Sequence, residues 1–302
     1  MKIVNITGGL GNQMFQYAFA VALQEKWREE VKVDKHHYHY IFSKTFHGNN
    51  FYHNGFEIDK VFPNAKLGIA SPLDIMKVSY YMPNFKLSRI IRKLMPVRKG
   101  EYIQPAAKAY EYDDQTLNID ASYYEGYWMA YKYFEDCRSK IQETYVFPEF
   151  TTEENKRFAD ALRKDSSVTI HVRRGDYVKL GAFANICTLD YYRKAIAIAR
   201  QHIELPEFFV FSNDQDWCMV NLKDAFGDAT VHFVNNNRGN ESYRDMQLMS
   251  LARCNLMANS SFSWWGAFLI AREDQIVIAP HKWMNDRDCS SLYSDKWIKI
   301  ES

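Results

Sequence analysis

The second half of the chain alternates short apolar runs with longer stretches in which apolar residues recur at helical spacing. The apolar runs predict strands at residues 168–172, 208–211, 231–234, 255–258 and 276–278. The helical stretches lie at 153–163, 189–203, 214–222, 241–253 and 263–272. Strands and helices that alternate at this spacing predict a parallel α/β sheet with right-handed crossovers.

The first half begins with the same alternation and then loses it. An apolar strand at 2–6 leads into the turn TGGLGN, a helix at 13–29 and a second strand at 31–34. A glycine loop between a strand and a helix predicts either a ligand site made of backbone N–H groups or only a tight turn. The loop is not a dinucleotide fingerprint, because Met14 stands where a small residue is needed. Residues 35–110 form an irregular insert.

Length and local composition suggest two domains. A chain of 302 residues is about twice the usual domain size. Phe147-Pro148 and the charged run 151–156 then mark a boundary, which predicts domains at 1–150 and 151–302.

Charge and cysteine content narrow the class of protein. The 38 basic and 37 acidic residues give a net charge of +1, so no global field favours a nucleic acid partner. The five cysteines are widely spaced and include no Cys-x-x-Cys pair, which predicts reduced thiols. The N-terminus lacks the apolar region of a signal peptide, and no segment has the 18 or so apolar residues of a membrane span. We therefore expect a cytoplasmic protein.

Three polar clusters follow three of the predicted strands. They are Arg173, Arg174 and Asp176 after the first, Ser212 and Asp214 after the second, and the run NSSFSW at 259–264 after the fourth. Each cluster alone has a structural explanation, such as an ion pair that braces a loop or an ordinary helix cap. The carboxyl ends of parallel strands share one edge, where ligands bind. Together the clusters predict a site for a nucleoside diphosphate, with its phosphates at Arg173 and the helix N-terminus and its base at Asp214.

Three other features allow a functional and a plain structural interpretation. The histidines His36, His37 and His39 and the pairs Asp214-x-Asp216 and Asp286-x-Asp288 contain metal-ligating residue types, but an arginine already supplies a cation, so we expect no metal. The aromatic run YYEGYWMAYKYF at 123–134 fits core packing or a sugar platform. The basic amphipathic stretch 87–99 fits a solvated helix face or contact with an anionic membrane surface.

Five segments carry a resemblance to a known family. They are GGLGNQMFQYA at 8–18, YYEGYWMAYKYF at 123–134, HVRRGDYV at 171–178, FSNDQDW at 211–217 and NSSFSWWGA at 259–267. In this order they resemble the bacterial α-1,2-fucosyltransferases of glycosyltransferase family 11. The resemblance implies an α/β fold of GT-B type, with two Rossmann-like domains and the active site in the cleft between them. Domain 1–150 would face the acceptor, and domain 151–302 would bind GDP-fucose.

The resemblance also implies a reaction and its partners. Fucose would move from GDP-fucose, with inversion and without a metal or other cofactor, to the 2-hydroxyl of a terminal β-galactoside. The acceptor would be a galactose-terminated oligosaccharide or a lipid-linked glycan, as in O-antigen or other surface glycan synthesis. The enzyme could then lie at the inner face of the membrane and contact it through 87–99. The alternatives are a nucleotide-sugar or carbohydrate-binding protein without turnover, and a transferase of another GDP-sugar or linkage.

Residue roles follow from the same matches. The catalytic group would be His171, Arg173 and Asp176, with Arg173 on the β-phosphate and Asp176 bracing the arginines. The donor site would comprise Arg173, Arg174, Ser212, Asp214, Asn259, Ser260, Ser261, Ser263 and Trp264. The fucose and acceptor site would comprise Gly9, Gly11, Asn12, Gln13, Tyr127 and Trp128. Gly181 stands where the α-1,6 enzymes have a glutamate proposed as base, so the resemblance supplies no base here.

Overall fold

The computed structural model describes residues 1–41, 54–80, 85–174, 181–270 and 272–301, with 39–41 and 85–89 described by their backbone. The chain forms two compact units. The first comprises Met1–Phe147 and Ser291–Tyr293, and the second comprises Pro148–Ser290 and Ser294–Ser302. The units divide between Phe147 and Pro148, whereas the sequence predicts the boundary after residue 150.

The first unit is built on a parallel sheet. Its strands are β1 (Lys2–Asn5), β2 (Val31–Asp34), β3 (Gly68–Ile69), β4 (Glu101–Ile103) and β5 (Tyr123–Glu125), in the order β3-β2-β1-β5-β4. The helices are α1 (Leu10–Trp27), α2 (His36–Ile41), α3 (Ile58–Val61), α4 (Pro72–Val78), α5 (Phe85–Leu94) and α6 (Arg138–Thr144). Single 3₁₀ turns lie at Ala106–Lys108, Thr116–Asn118, Tyr131–Tyr133 and Glu135–Cys137. The predicted opening, β1-α1-β2, is confirmed.

Aromatic residues fill the core of the first unit. The ring of Phe19, on α1, stacks on Trp128 with centroids 4.2 Å apart and planes at 9°, and Tyr133 meets Phe19 edge-on at 5.5 Å. Most of the run 123–134 is therefore core packing, and its first residues are strand β5. Tyr127 differs, because 39% of its surface is exposed.

The second unit is built on another parallel sheet. Its strands are β6 (Ser167–Val172), β7 (Glu207–Ser212), β8 (Val231–Val234), β9 (Cys254–Leu256), β10 (Ile276–Pro280) and β11 (Ile298–Ile300), in the order β11-β10-β9-β6-β7-β8. The helices are α7 (Glu153–Leu162), α8 (Leu189–His202), α9 (Gln215–Asn221), α10 (Lys223–Phe226), α11 (Tyr243–Met249) and α12 (Ser261–Phe268). Single 3₁₀ turns lie at Gly239–Glu241 and Ser290–Leu292.

These two Rossmann-like sheets confirm the predicted α/β class. The five strands predicted for the second half are all present, and β11 is an addition that its short, half-exposed sequence did not reveal. Several helices differ from their predicted bounds, α11 and α12 the most. α12 begins two residues early because Ser260 caps it, and α11 is shorter than the predicted 241–253. No described helix is both long and apolar enough to cross a bilayer.

Candidate functional site

The three polar clusters of the second unit lie at neighbouring positions along one sheet edge. β6 pairs with β7 on one side and with β9 on the other, and all three strands run parallel. The residues that follow them therefore emerge side by side. This is the edge at which open α/β sheets bind ligands.

Two arginines follow β6. Arg174 bridges to the end of β7, because its backbone N–H donates to Oδ1 of Asn213 at 3.0 Å and its Nε donates to Oδ2 of Asp214 at 3.2 Å. Its guanidinium also lies 4.0 Å from the ring centre of Trp217. Arg173 is partly exposed at the same edge. Asp176, predicted as the brace of this pair, lies outside the described residues.

His171 is the last residue but one of β6, and its imidazole is almost completely buried. Nδ1 of this ring is buried without a hydrogen-bond partner among the described residues. Burial, followed by the charge of Arg173, lowers the pKa of His171 to about 3. The lowered pKa keeps the ring neutral at physiological pH. The ring supplies a polar wall that adds no charge beside Arg173.

Asp214 follows β7, and the hydrogen bonds of both carboxylate oxygens are structural. Oδ1 accepts from the N–H of Trp217 at 3.2 Å and so caps α9, and Oδ2 accepts from Arg174. Oγ of Ser212 accepts from the backbone N–H of Asp214 at 2.9 Å, which fixes the turn. A guanine base at Asp214 would share the carboxylate with Arg174.

The serine run after β9 forms the N-terminus of α12. Oγ of Ser260 accepts from the N–H of Phe262 at 3.3 Å, and Oγ of Ser263 donates to the carbonyls of Ala258 and Ser260, both at 3.1 Å. Ser261 is partly exposed at the first turn. The positive end of the helix thus lies at the same edge as Arg173.

Two residues predicted for the GDP-fucose site, Asn259 and Trp264, are buried beneath this edge. Asn259 is buried and donates to the carbonyls of Phe183 at 3.3 Å and Trp283 at 3.0 Å. The ring of Trp264 is buried against the ring of Phe268, with centroids 4.8 Å apart. The backbone N–H of Trp264 donates to the Ser260 carbonyl within the helix. The structure therefore does not support direct contact between Trp264 and a donor.

The glycine loop of the first unit is held in one conformation by side chains. Gly8 has φ +82°. Its carbonyl accepts from Nε2 of Gln13 at 3.1 Å and from the hydroxyl of Tyr38 at 2.8 Å. Gln13 is fully buried and also bonds the backbone of Gly55 and Glu57, at 2.8 Å each. Gln13 thus positions the loop, and Gly9 and Asn12 are its partly exposed members, whereas Gly11 is buried within α1.

A carboxylate–histidine pair stands beside this loop, at the end of β2. Nδ1 of His36 lies 2.7 Å from Oδ1 of Asp34, and the N–H of His36 donates to the same oxygen at 2.8 Å. Oδ2 of Asp34 accepts from the hydroxyl of Tyr123 at 2.7 Å and from Nδ2 of Asn5 at 3.3 Å. Burial opposes the charge of Asp34, but the hydrogen bonds from His36 and Tyr123 outweigh it and lower the pKa of the carboxyl.

Two aromatic residues that follow β5 differ in exposure, and a third group, Glu57, lies buried beside Gln13. Tyr127 follows β5, on the other side of β1, and is partly exposed, whereas the ring of Trp128 is fully buried under Phe19. The ring of Trp128 thus belongs to the core and presents no face on which a sugar could stack. Glu57 is a buried carboxyl whose pKa is raised by burial.

The described residues contain no cluster of three or more His, Cys, Asp or Glu side chains that could hold a metal ion. His36 belongs to the Asp34 pair, and of the three clustered histidines only His36 and His37 have described side chains.

Sequence reasoning missed the functional potential of Asp34 and His36. The signal was present, since Asp34 ends a strand and His36 lies two residues beyond it, near the position that Arg173 has after β6. By residue type the clustered histidines suggest metal ligands. The contacts of Asp34 with Asn5 and Tyr123 depend instead on the order of strands in the sheet.

Comparisons with known proteins agree with this arrangement of motifs. The model of glycosyl transferase family 11 matches residues 1–301. An α-1,2-colitosyltransferase of Escherichia coli is 32% identical over 99% of this chain and 98% of its own length. The O-antigen biosynthesis glycosyltransferase WbnK of Escherichia coli is 31% identical over 98% of this chain and 99% of its own length.

A third relative matches part of the chain. The galactoside α-(1,2)-fucosyltransferase 2 of Mus musculus is 29% identical over 52% of this chain and 46% of its own length. The full-length match to the family model is the decisive one: this chain is a member of glycosyl transferase family 11.

Proposed function

We propose that this chain transfers L-fucose from GDP-fucose to the 2-hydroxyl of a terminal β-galactoside, with inversion at the anomeric carbon. The observation that carries the proposal is the alignment of Arg173, Asp214 and the N-terminus of α12 at the ends of three adjacent strands. A cation and a helix N-terminus suit a diphosphate, and a carboxylate suits a guanine edge.

The donor half of the reaction needs a stabilised leaving group. As the bond between the sugar and the β-phosphate breaks, negative charge grows on the departing oxygen. Arg173 would meet this charge, and Arg174 would hold Asp214 and the β7 end in register. Fixed donors of this kind typically contribute about 10²–10³ in rate.

The acceptor half needs a base, and the Asp34–His36 pair suits that role. Asp34 orients the imidazole of His36 through Nδ1, and its charge would stabilise the imidazolium that forms when Nε2 takes the proton. The acceptor hydroxyl would give its proton to Nε2 while its oxygen bonds to the anomeric carbon. The sugar–phosphate bond electrons would leave with GDP, and the proton would pass to water afterwards.

The relatives favour a second donor. The colitosyltransferase matches this chain from end to end, whereas the mouse fucosyltransferase matches about half of it. Colitose is L-fucose without its 3-hydroxyl, so the two donors differ by one hydroxyl group. A transferase of GDP-colitose is therefore the alternative that the comparisons favour, and a site that hydrogen-bonds this hydroxyl would discriminate between them.

A GDP-release assay tests the proposal. The purified chain would receive GDP-fucose or GDP-colitose with lactose or N-acetyllactosamine, each with and without EDTA. We expect acceptor-dependent GDP release from GDP-fucose that is unchanged by EDTA. GDP release from GDP-colitose but not from GDP-fucose would show that the donor is GDP-colitose. Binding of a GDP-sugar without release, with any acceptor, would indicate a binding protein and overturn the proposal.

A further inference from the structure

We propose that one face of the first unit docks onto an anionic lipid membrane. The face, which we call the α4–α5 surface, carries six exposed large apolar residues from α4, α5 and the segment after α5. They are Leu73, Met76, Ile90, Leu94, Met95 and Val97. Soluble surfaces scatter such residues singly, and a group of them indicates a contact site.

The orientation of α5 is fixed by an arginine on its inner side. Arg92 donates to Glu101 at 3.2 Å and to Glu125 at 2.8 Å, which ties the helix to β4 and β5. Ile90 and Leu94 are four residues apart and so share a face of the helix. Leu94 is 78% exposed, so this apolar face is directed to solvent.

α4 and the segment after α5 extend the same surface. Ile75 of α4 is buried, whereas Leu73 and Met76, three residues apart, are exposed. Nη1 of Arg98 donates to the carbonyl of Met76 at 2.8 Å and to that of Ser79 at 3.4 Å. The segment that carries Met95 and Val97 is therefore joined to the carboxyl end of α4.

Charge identifies the occupant as anionic lipid. Residues 85–99 contain six Lys or Arg and no Asp or Glu, although the chain as a whole has a net charge of only +1. Lys77, Lys93 and Lys99 are exposed beside the apolar residues. Apolar side chains that enter the headgroup layer, with lysines at the level of the phosphates, are typical of interfacial helices. A second copy of the chain would bring like charges together.

Such docking would bring the first unit to a lipid-linked acceptor, a consequence that rests on the proposed function. The docking itself does not depend on it. Failure of vesicle binding and failure of fucosyl transfer are separate results, because the enzyme assay uses lactose in free solution.

Vesicle co-sedimentation of the full chain tests the surface. We expect the protein to pellet with vesicles of equal parts phosphatidylcholine and phosphatidylglycerol at low salt, and to stay in solution with phosphatidylcholine alone. High salt should weaken the binding, because exposed charges are screened. The variant Leu94→Ser should bind about tenfold more weakly, and the double variant Lys93→Glu with Lys99→Glu should lose the preference for phosphatidylglycerol.

Val220→Ser is the matched control. Val220 lies on α9 in the second unit and is 77% exposed, nearly the same as Leu94, so this variant should bind vesicles as the wild type does. Equal binding by Leu94→Ser and the wild type, or no pelleting with either vesicle, would overturn the proposal. Sedimentation velocity tests whether a second copy of the chain binds the α4–α5 surface. A dimer that Leu94→Ser abolishes, without vesicle binding by the wild type, would assign the surface to a second copy and also overturn it.

Discussion

The guanidinium of Arg174 joins the ends of two neighbouring strands, with its Nε 3.2 Å from Oδ2 of Asp214. Its neighbour Arg173 lies at the same edge, where the proposed diphosphate would bind. We therefore expect the two arginines to differ in effect. Arg173→Ala should lower kcat by about 10²–10³ because charge on the leaving phosphate loses its donor.

Arg174→Ala is the matched comparison. It removes a half-exposed ion pair and the contact with Trp217, so it should lower the unfolding free energy by about 1 kcal/mol and weaken GDP binding through the loosened turn. Steady-state kinetics and urea unfolding of both variants check this division. Equal kinetic losses from the two substitutions would show that the pair acts as one unit.

The sequence was sufficient to predict the strands of the second unit and the edge that bears the polar clusters. It did not predict which strands are neighbours in the sheet. Apolar runs located β6, β7 and β9, and the parallel pattern placed the residues after them at one edge. That β6 lies between the other two follows from the crossovers, which local patterns do not encode. For the same reason the contact of Arg174 with Asp214, which is distant in the chain, was not predicted. Asp176, the predicted brace of both arginines, lies outside the described residues.

The first unit was harder to predict because its strands are short and its helices lie within an irregular insert. Tyr123 begins the run that fits core packing or a sugar platform, and it is a buried strand residue that bonds Asp34. The aromatic composition of 123–134 suited both roles, and only the position of β5 beside β1 decides between them.

The Asp34–His36 pair predicts a loss of turnover without a loss of binding. His36→Ala should lower kcat by about 10²–10⁴, the usual contribution of a general base, with little change in the KM for the acceptor. Free imidazole should restore part of the activity by entering the space left by the ring. Steady-state kinetics with lactose as acceptor, with and without imidazole, measure both effects.

Two further variants separate catalysis from structure at this pair. His37→Ala changes the adjacent histidine, whose ring packs edge-on against Tyr38 with centroids 5.7 Å apart, and it should retain most activity. Asp34→Asn should lower kcat as well, because the amide no longer stabilises an imidazolium. If His36→Ala kept wild-type kcat, or if imidazole never rescued it, another group would have to be the base.

The buried imidazole of His171 predicts a loss of stability in acid. Its pKa of about 3 in the folded chain lies below the ordinary value of 6.5. The unfolded chain therefore binds more protons between these values, and stability is fully present above pH 6.5 and falls as the pH drops toward 3. The contribution is roughly 3–5 kcal/mol over the whole window. Urea unfolding at pH 7.5 and 4.5 should show a smaller loss for His171→Gln than for the wild type; equal losses would contradict it.

The carboxyl of Asp245 predicts the opposite dependence of stability on pH. Burial raises the pKa of this α11 carboxyl to about 7, although Nδ2 of Asn237 donates to it at 2.8 Å. The folded chain binds the extra proton between pH 4 and 7, so this contribution to stability is lost as the pH rises through 7. Asp245→Asn should raise the unfolding free energy at pH 8 by roughly 1–4 kcal/mol and leave it nearly unchanged at pH 4. A variant less stable than the wild type at pH 8 would show that the carboxylate is needed in its charged form.

A substitution at Gly8 tests whether the conformation of the glycine loop matters for acceptor binding. A side chain at φ +82° is strained, and a Cβ built there would lie 2.7 Å from Nδ2 of Asn12. Gly8→Ala should therefore cost about 1 kcal/mol or more in stability and push Asn12 away from the edge where the acceptor is proposed to bind. Gly239→Ala is the matched control, since Gly239 also has positive φ, at 58°, but its Cβ would meet nothing within 4 Å. Both variants should lose stability, and only Gly8→Ala should raise the KM for the acceptor. If both raised it equally, or if neither did, the conformation of the loop would have no specific role in acceptor binding.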